Sequence, residues 1–330
     1  MSLLIDAYDA ALFDLDGVIY LGPLAVPGAV DGIAELEARK VPIMYVTNNA
    51  APTAESVVEK LDALGYPARY EQVLTSAQVA ARYLPEELEL GSKILIAGSP
   101  NLAEVMRQAG YEPVYSADDQ PQAVIQGYFQ QMPWPMLDEA CLAIERGAKW
   151  YACNDDTNRP TDRGTVPGVG GMIAVLTTAL GGKPKTFGKP FRPMMDEAAR
   201  RAGATRPIFV GDRLDTDIEG ANNAGIDSLL VFSGVHGKRD LVNAKRKYRP
   251  THIGRDVRAL TQPARELTLV GGSARCGNQS ARVEGERIVI DSSPVGYEQQ
   301  LDALWAVANL AWAKPGVSVE TALDMLSEVR

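Results

Sequence analysis

The chain is expected to fold as an α/β protein, with a parallel-sheet core, an inserted α/β unit and a small carboxyl-terminal α+β segment. Three observations predict this. Short apolar runs alternate with amphipathic helical stretches, the pattern of parallel strands joined by helical crossovers. A block at about 85–185 repeats that alternation and interrupts runs of one style at 11–13, 41–46, 207–210 and 228–232. Beyond about residue 263 the alternation gives way to short antiparallel strands and one long amphipathic helix.

The opening run Ala11-Leu12-Phe13 stops at Asp14-Leu15-Asp16-Gly17. An apolar run of this length reads as a buried strand, and such a strand gains nothing from ending in two charges. Residues i and i+2 of a strand point the same way, so both carboxylates would face one spot at its carboxyl end, where open α/β sheets bind ligands. A divalent cation with a phosphate would offset their repulsion. A polar strand end turning into a glycine loop is the plainer reading, and this stretch alone leaves both open. Residues 29–39 carry Val30, Ile33 and Leu36 at helical spacing, and 41–46 form a second strand ended by Thr47-Asn48-Asn49. A hydroxyl and two amides there make a neutral cradle for phosphate oxygens, or simply cap the next helix. That helix is 54–64, with Val57, Val58, Leu61 and Leu64 on one face, and 77–83 continues in the same style.

Within the inserted block, strands are expected at 93–97, 123–127 and 150–154 and helices at 101–109, 136–146 and 168–180. The last helix is entered through a turn rich in Pro and Gly and left through Gly181-Gly182. Asn154, Asp156, Thr157, Asn158 and Arg159 follow a strand end and are either selectors of a ligand or a polar turn, with Asp155 expected to face solvent. Thr186-Phe187-Gly188-Lys189-Pro190 places a lysine in a loop, where an ammonium could offset charge on a transferring phosphoryl group or merely be solvated. Ile208-Phe209-Val210 then runs into Gly211-Asp212-Arg213-Leu214-Asp215-Thr216-Asp217. Two acidic clusters, each at the carboxyl end of a strand of one sheet, converge on an oxygen-rich site of the kind magnesium prefers. Small residues at 218–225 suit a helix packed tightly on the sheet.

In the last part, 267–269 and 274–290 read as antiparallel strands with Glu284-Gly285-Glu286 as a hairpin turn. An amphipathic helix presents Leu301, Leu304, Trp305, Ala308 and Trp312 on one face and ends at Lys314-Pro315-Gly316; a final helix is expected over 319–329. Composition limits the partners. With 330 residues, 46% hydrophobic and 23% charged, the chain resembles an ordinary globular protein of two or three domains. A net charge of −9 disfavours nucleic acid or an anionic membrane as partner. With no long apolar stretch and no leader pattern at residues 1–6, a cytoplasmic location is expected. Cys141, Cys153 and Cys276 lack C-x-x-C spacing and read as reduced thiols, and His236 and His252 leave few candidates for histidine chemistry.

Taken in order, Asp14-Leu15-Asp16-Gly17-Val18-Ile19-Tyr20, Val46-Thr47-Asn48-Asn49, Gly188-Lys189-Pro190 and Val210-Gly211-Asp212-Arg213-Leu214-Asp215-Thr216-Asp217-Ile218 resemble the haloacid dehalogenase (HAD) superfamily. Within it they are similar to the NagD-like, 4-nitrophenylphosphatase-type branch, as are Asn154-Asp155-Asp156-Thr157 and Pro167-Gly168-Val169-Gly170. The likeness covers residues 10–255. It implies a Rossmann-like core at 1–84 plus 186–262 and a C2-type α/β cap at 85–185, while the α+β segment read at 263–330 lies beyond the likeness and has no assigned role. It also implies a magnesium-dependent phosphatase acting through an aspartyl-phosphate. Asp14 would be the nucleophile and Asp16 the general acid and then base. Thr47 and Asn48, with Asn49 close by, would hold phosphoryl oxygens while Lys189 stabilises charge. Asp14, the Asp16 carbonyl and Asp212 would bind Mg2+, supported by Asp217. Dehalogenase- and pump-type members lack the second aspartate, and mutases carry their cap between the first two motifs, where residues 17–46 leave no room. Asn154, Asp156 and Arg159 would contact substrate, and the lack of aromatic or imidazole groups at 154–160 favours a small polyhydroxylated leaving group. Similarity to glycerol 3-phosphate phosphatases with an added carboxyl-terminal segment makes glycerol 3-phosphate the expected substrate, ahead of phosphoglycolate, pyridoxal phosphate and nucleotide monophosphates. A homodimer through the caps is a further expectation. A catalytically silent phospho-ligand binder is the alternative of a different class, disfavoured because every motif residue is present.

Overall fold

A computed structural model of the chain describes residues 2–161 and 163–330. It divides into two compact units, Met1–Met44 with Ala202–Arg330, and Tyr45–Arg201. In the first unit the strands Ala10–Asp14, Pro207–Gly211, Asp227–Val231 and His252–Gly254 lie side by side and parallel. Their near-continuous Val, Ile, Leu and Phe content suits strands covered on both faces, and every residue of Ala10–Asp14 and Pro207–Gly211 is buried. Phe13 lies opposite Val210, so Asp14 and Asp212 emerge at the same sheet end.

The first strand stops at Asp14, which corrects the expectation that strand alternation aims Asp14 and Asp16 together. The Val18, Ile19 and Tyr20 amides all turn back onto the Leu15 carbonyl. Asp14 is therefore buried while Asp16 sits exposed in the turn. After Pro207–Gly211, the residues Leu214–Ile218 form a single π-helical turn that leads into the helix Glu219–Ala224.

The carboxyl-terminal segment belongs to this same unit. Strands Leu267–Val270, Ser273–Cys276, Gln279–Glu284 and Arg287–Ile290 pair antiparallel in succession, and the helix Gly296–Ala313 packs across them. Its buried Leu301, Leu304 and Trp305 join Leu214, Ile218, Leu230, Phe232 and Leu241 in one hydrophobic core. Trp305 and Trp312 meet edge to face at 5.6 Å. The final helix is only Glu320–Asp324, shorter than the expected 319–329. Beyond it, the Leu326 and Arg330 carbonyls accept from Lys238 instead of continuing a helical ladder.

In the second unit, Tyr45, Val46 and Thr47 pair in parallel with Val73–Thr75. A second parallel sheet has the order Lys185–Thr186, Lys149–Ala152, Ala123–Gln126, Lys93–Ala97, Glu112–Val114, with helices Trp134–Glu145 and Val169–Leu180 packed on each other. Where the sequence reads as a turn, Asn158–Thr161 and Gly164–Pro167 form an antiparallel hairpin. Its composition is polar, with Pro and Gly, so no apolar alternation announces it. Cys141, Cys153 and Cys276 are all free. Burial pushes the Cys153 and Cys276 thiols up to about 12, which makes them unreactive. Among the described residues, no helix is long and apolar enough to cross a membrane.

Candidate active site

In the first unit, the buried Asp14, Asp212 and Asp217 each offer a carboxylate oxygen, and these oxygens lie within 4.8 Å of one another. The backbone assembles the trio. Asp217 Oδ2 accepts the amides of Asp212 (3.2 Å) and Arg213 (3.0 Å), which folds the acidic loop back on itself. Asp212 Oδ2 accepts the Val235 amide at 2.6 Å, and the Asp212 carbonyl accepts that of His236. His236 Nδ1 accepts the Leu214 amide at 2.9 Å, leaving the proton of a neutral ring on Nε2.

Two glycines let the backbone close around Asp212. A Cβ on Gly17, whose φ is +92°, would stand 2.5 Å from Asp212 Oδ2; one on Gly234 would stand 1.9 Å from it. Ser233 ties this wall together by donating to the Gly17 carbonyl at 2.7 Å. Sequence reasoning missed Ser233, Gly234 and Val235. Val235 acts through its amide, which no side-chain motif reports, and the available signal was a glycine just past the carboxyl end of Asp227–Val231.

Negative charge dominates the spot. Burial pushes the Tyr20 phenol well above its usual range, and the charges of Asp16 and Asp14 push it further. Asp215 lies outside the trio. Burial raises its carboxyl, but the Arg213 guanidinium, bonded at 2.9 and 3.1 Å, outweighs that and holds it below the usual range. Three hard carboxylates in one place are the donor set of Mg2+ or Ca2+, not of a soft metal. The Asp16 carboxylate is not part of this trio.

In the second unit, Asn48 organises the remaining motif residues. Its Oδ1 accepts the Lys189 amide at 2.7 Å, and its Nδ2 donates to the Lys189 carbonyl (2.9 Å) and to Asp156 Oδ1 (3.0 Å). Its carbonyl accepts from Asn154 Nδ2 at 2.6 Å and from Ser76 Oγ. Gly188 permits this approach: a Cβ there would lie 2.7 Å from both Asn48 Oδ1 and the Cys153 carbonyl. The sequence singled out Lys189 as a loop lysine, and it is only 2% exposed, so it is not a solvated surface residue.

Thr47 is buried, with its hydroxyl oxygen accepting the Asn49 amide. Asn49 is exposed and uses its side chain locally, accepting the Ala51 amide at 3.1 Å. Asn154 is buried and Asp156 half-buried, and Asp155 is half-buried where solvent exposure was expected. Gly168 and Gly170 pack onto the Asp156 carbonyl, where either Cβ would come within 3 Å. Arg159, half-buried, lays its guanidinium over the Tyr128 ring at 4.9 Å. Residues 154–160 hold no aromatic of their own, but Tyr128, from just past the Ala123–Gln126 strand, brings one to Arg159.

The chain is similar to proteins of known family. Residues 11–112 match the family described as haloacid dehalogenase-like hydrolase, and 186–260 match the HAD-hydrolase-like family. The D-glycerol 3-phosphate phosphatase of Mycobacterium tuberculosis is 40% identical over 321 residues, covering 94% of this chain and 88% of its own. The acid sugar phosphatase of Staphylococcus aureus is 33% identical over 76% of this chain and 95% of its own. Among solved structures, a magnesium complex of a glycerol phosphate phosphatase from M. tuberculosis superposes with a TM-score of 0.89. Its identity is 37%, and the match covers 99% of this chain and 98% of that one.

Proposed function

Because this chain belongs to the haloacid dehalogenase-like hydrolases, we propose that it is a magnesium-dependent phosphatase hydrolysing glycerol 3-phosphate to glycerol and phosphate. The observation that carries the reading is the buried Asp14, Asp212 and Asp217 trio, whose oxygens lie within 4.8 Å. Asp14 and Asp212 stand at the carboxyl ends of neighbouring strands. Likeness to the M. tuberculosis enzyme over nearly the whole chain supports the choice of substrate.

On this reading the Asp14 carboxylate attacks phosphorus as the bond to the glycerol oxygen breaks, giving an aspartyl-phosphate. Asp16, exposed in its turn and outside the trio, gives a proton to the leaving alkoxide. It then takes one from the water that releases phosphate and restores Asp14. Asp14, the Asp16 carbonyl and Asp212 would hold Mg2+, with Asp217 fixing the loop. Bound there, the ion would offset repulsion between the carboxylate nucleophile and an anionic phosphate. Thr47, the Asn48 main chain and Lys189 would serve the phosphoryl oxygens, and Asn49 shapes their turn. Residues 85–185 would be the cap, with Arg159 and Asp156 facing the glycerol end and Asn154 bracing Asn48.

The test is phosphate release, with and without Mg2+, from glycerol 3-phosphate, phosphoglycolate, pyridoxal phosphate and nucleotide monophosphates, beside Asp14→Asn. Glycerol 3-phosphate should be hydrolysed best, and both chelation and Asp14→Asn should lower the rate at least about 1,000-fold, about 4 kcal/mol of barrier. Turnover surviving Asp14→Asn would overturn the mechanism; another best substrate would overturn the substrate alone. Binding without turnover of any ester would favour a silent phospho-ligand binder.

A further inference from the structure

The carboxyl-terminal segment reaches the metal-binding trio through one peptide group. The Gly234 carbonyl and the Val235 amide belong to the same peptide bond. On one side, the Val235 N–H donates to Asp212 Oδ2 at 2.6 Å. On the other, the Arg330 guanidinium donates through Nη1 to the Gly234 carbonyl. A cation on a peptide oxygen polarises the group and strengthens donation from its N–H, as hydrogen bonds in a chain reinforce one another.

The surrounding contacts hold Arg330 at this place. Its main-chain oxygen accepts the Lys238 amide at 2.6 Å, and a Cβ on Gly237 would lie 2.8 Å from that oxygen. Lys238 Nζ donates to the Leu326 carbonyl. Val329, beside Arg330, is 1% exposed and part of the core shared with Leu241 and Val242. The 233–238 loop is thus gripped from behind by residues 326–330 and faces Asp212 with its front.

We propose that Arg330 is a positioning residue for the metal site, acting on Asp212 through the Gly234–Val235 peptide. The 263–330 segment thereby orients a carboxylate of the trio, more than 110 residues earlier in the chain. Residues bonded behind metal ligands change metal affinity about 10–100-fold when removed. Arg330 stands one peptide further back, so the low end of that range applies. The proposal rests on the magnesium reading above, and the experiment separates the two.

The full chain and its Arg330→Met, Arg330→Lys and Arg239→Ala variants are titrated with Mn2+, followed by electron paramagnetic resonance. Amide exchange at Val235 is measured without metal by hydrogen-exchange mass spectrometry or NMR. Arg239 pairs with Glu320 and Asp324 of the same segment, so its variant reports general loosening. Expected are about tenfold weaker Mn2+ binding in Arg330→Met, partial recovery in Arg330→Lys, faster Val235 exchange in Arg330→Met alone, and unchanged metal affinity in Arg239→Ala. Equal loss in Arg239→Ala, or unchanged affinity and exchange in a folded Arg330→Met, would overturn the relay. An unsubstituted chain that binds no Mn2+ would overturn the metal reading, and Val235 exchange would still decide whether Arg330 holds the peptide.

Discussion

Asn48 ties the Lys189 loop to the end of its own strand through its side-chain amide. A polar side chain at a strand's carboxyl end suggested phosphate binding, but both ends of its amide bind protein: Oδ1 the Lys189 amide, Nδ2 the Lys189 carbonyl and Asp156. We therefore expect Asn48→Asp to be severe although nearly isosteric. The substitution keeps the acceptor but removes both donors, and sets a carboxylate against Asp156 and a buried carbonyl. Each lost or repulsive contact costs about 1–3 kcal/mol. The kcat for phosphate release should fall about 100-fold or more with the far-UV circular dichroism unchanged; wild-type turnover would show that the Lys189 loop holds itself. Asp14 and Asp212 were legible because each follows an apolar strand that ends abruptly in charge, whereas Lys189, by itself only a loop lysine, was singled out by the family resemblance. Asn48's organising role was not legible, because its partners lie 108 and 141 residues away. Nor was the Val235 amide, because every residue but proline carries one.

At the scale of elements, length counted together with burial: the three-residue strand Val73–Thr75 is buried throughout yet was not read as one. Pro207–Gly211 and Ala123–Gln126 are buried throughout and read plainly as strands. Glu112–Val114 did not, being three residues with a proline and only Val114 fully buried. The helix Arg192–Ala202 has a pH-dependent brace. Glu197, 2% exposed, accepts from Arg200 at 2.7 and 2.8 Å and from Arg201 at 2.9 Å, and Arg201 also donates to the Val73 carbonyl. Burial raises the Glu197 carboxyl, but the two arginines outweigh it and hold it below its ordinary 4.5. A carboxyl depressed on folding contributes stability that is present above its unfolded value and lost as pH falls through the folded one. Glu197→Gln should therefore be less stable at pH 7 by about 1–3 kcal/mol. In urea unfolding at successively lower pH, the gap to wild type should narrow below about pH 4.5. A gap independent of pH would mean that the pair acts through packing alone.

For the whole molecule, the 263–330 segment poses the main question, because its apolar helix face was visible in sequence while the surface it covers was not. That surface includes Leu230, Phe232, Leu241 and Ile253, which share one core with Leu301, Leu304, Trp305, Leu326 and Val329. Trp312 adds a hydrogen bond from Nε1 to the Leu241 carbonyl at 3.1 Å. Fully burying one large apolar side chain is worth about 1.5–3 kcal/mol. Exposing even four would cost on the order of 10 kcal/mol, as much as a typical domain's entire stability of about 5–15 kcal/mol. A chain ending at residue 262 should accordingly fail to fold, appearing in the insoluble fraction or as aggregate on gel filtration. A segment merely tethered to a self-sufficient phosphatase would instead leave a monodisperse protein with a cooperative melt near that of the full chain, and that outcome would sink the shared-core account. Arg330→Met removes the segment's side-chain hydrogen bond to the Gly234 carbonyl and none of its apolar core. Losing metal affinity in that variant and losing the fold in the truncation would show that the segment builds the sheet's outer layer and aligns Asp212 as separate tasks.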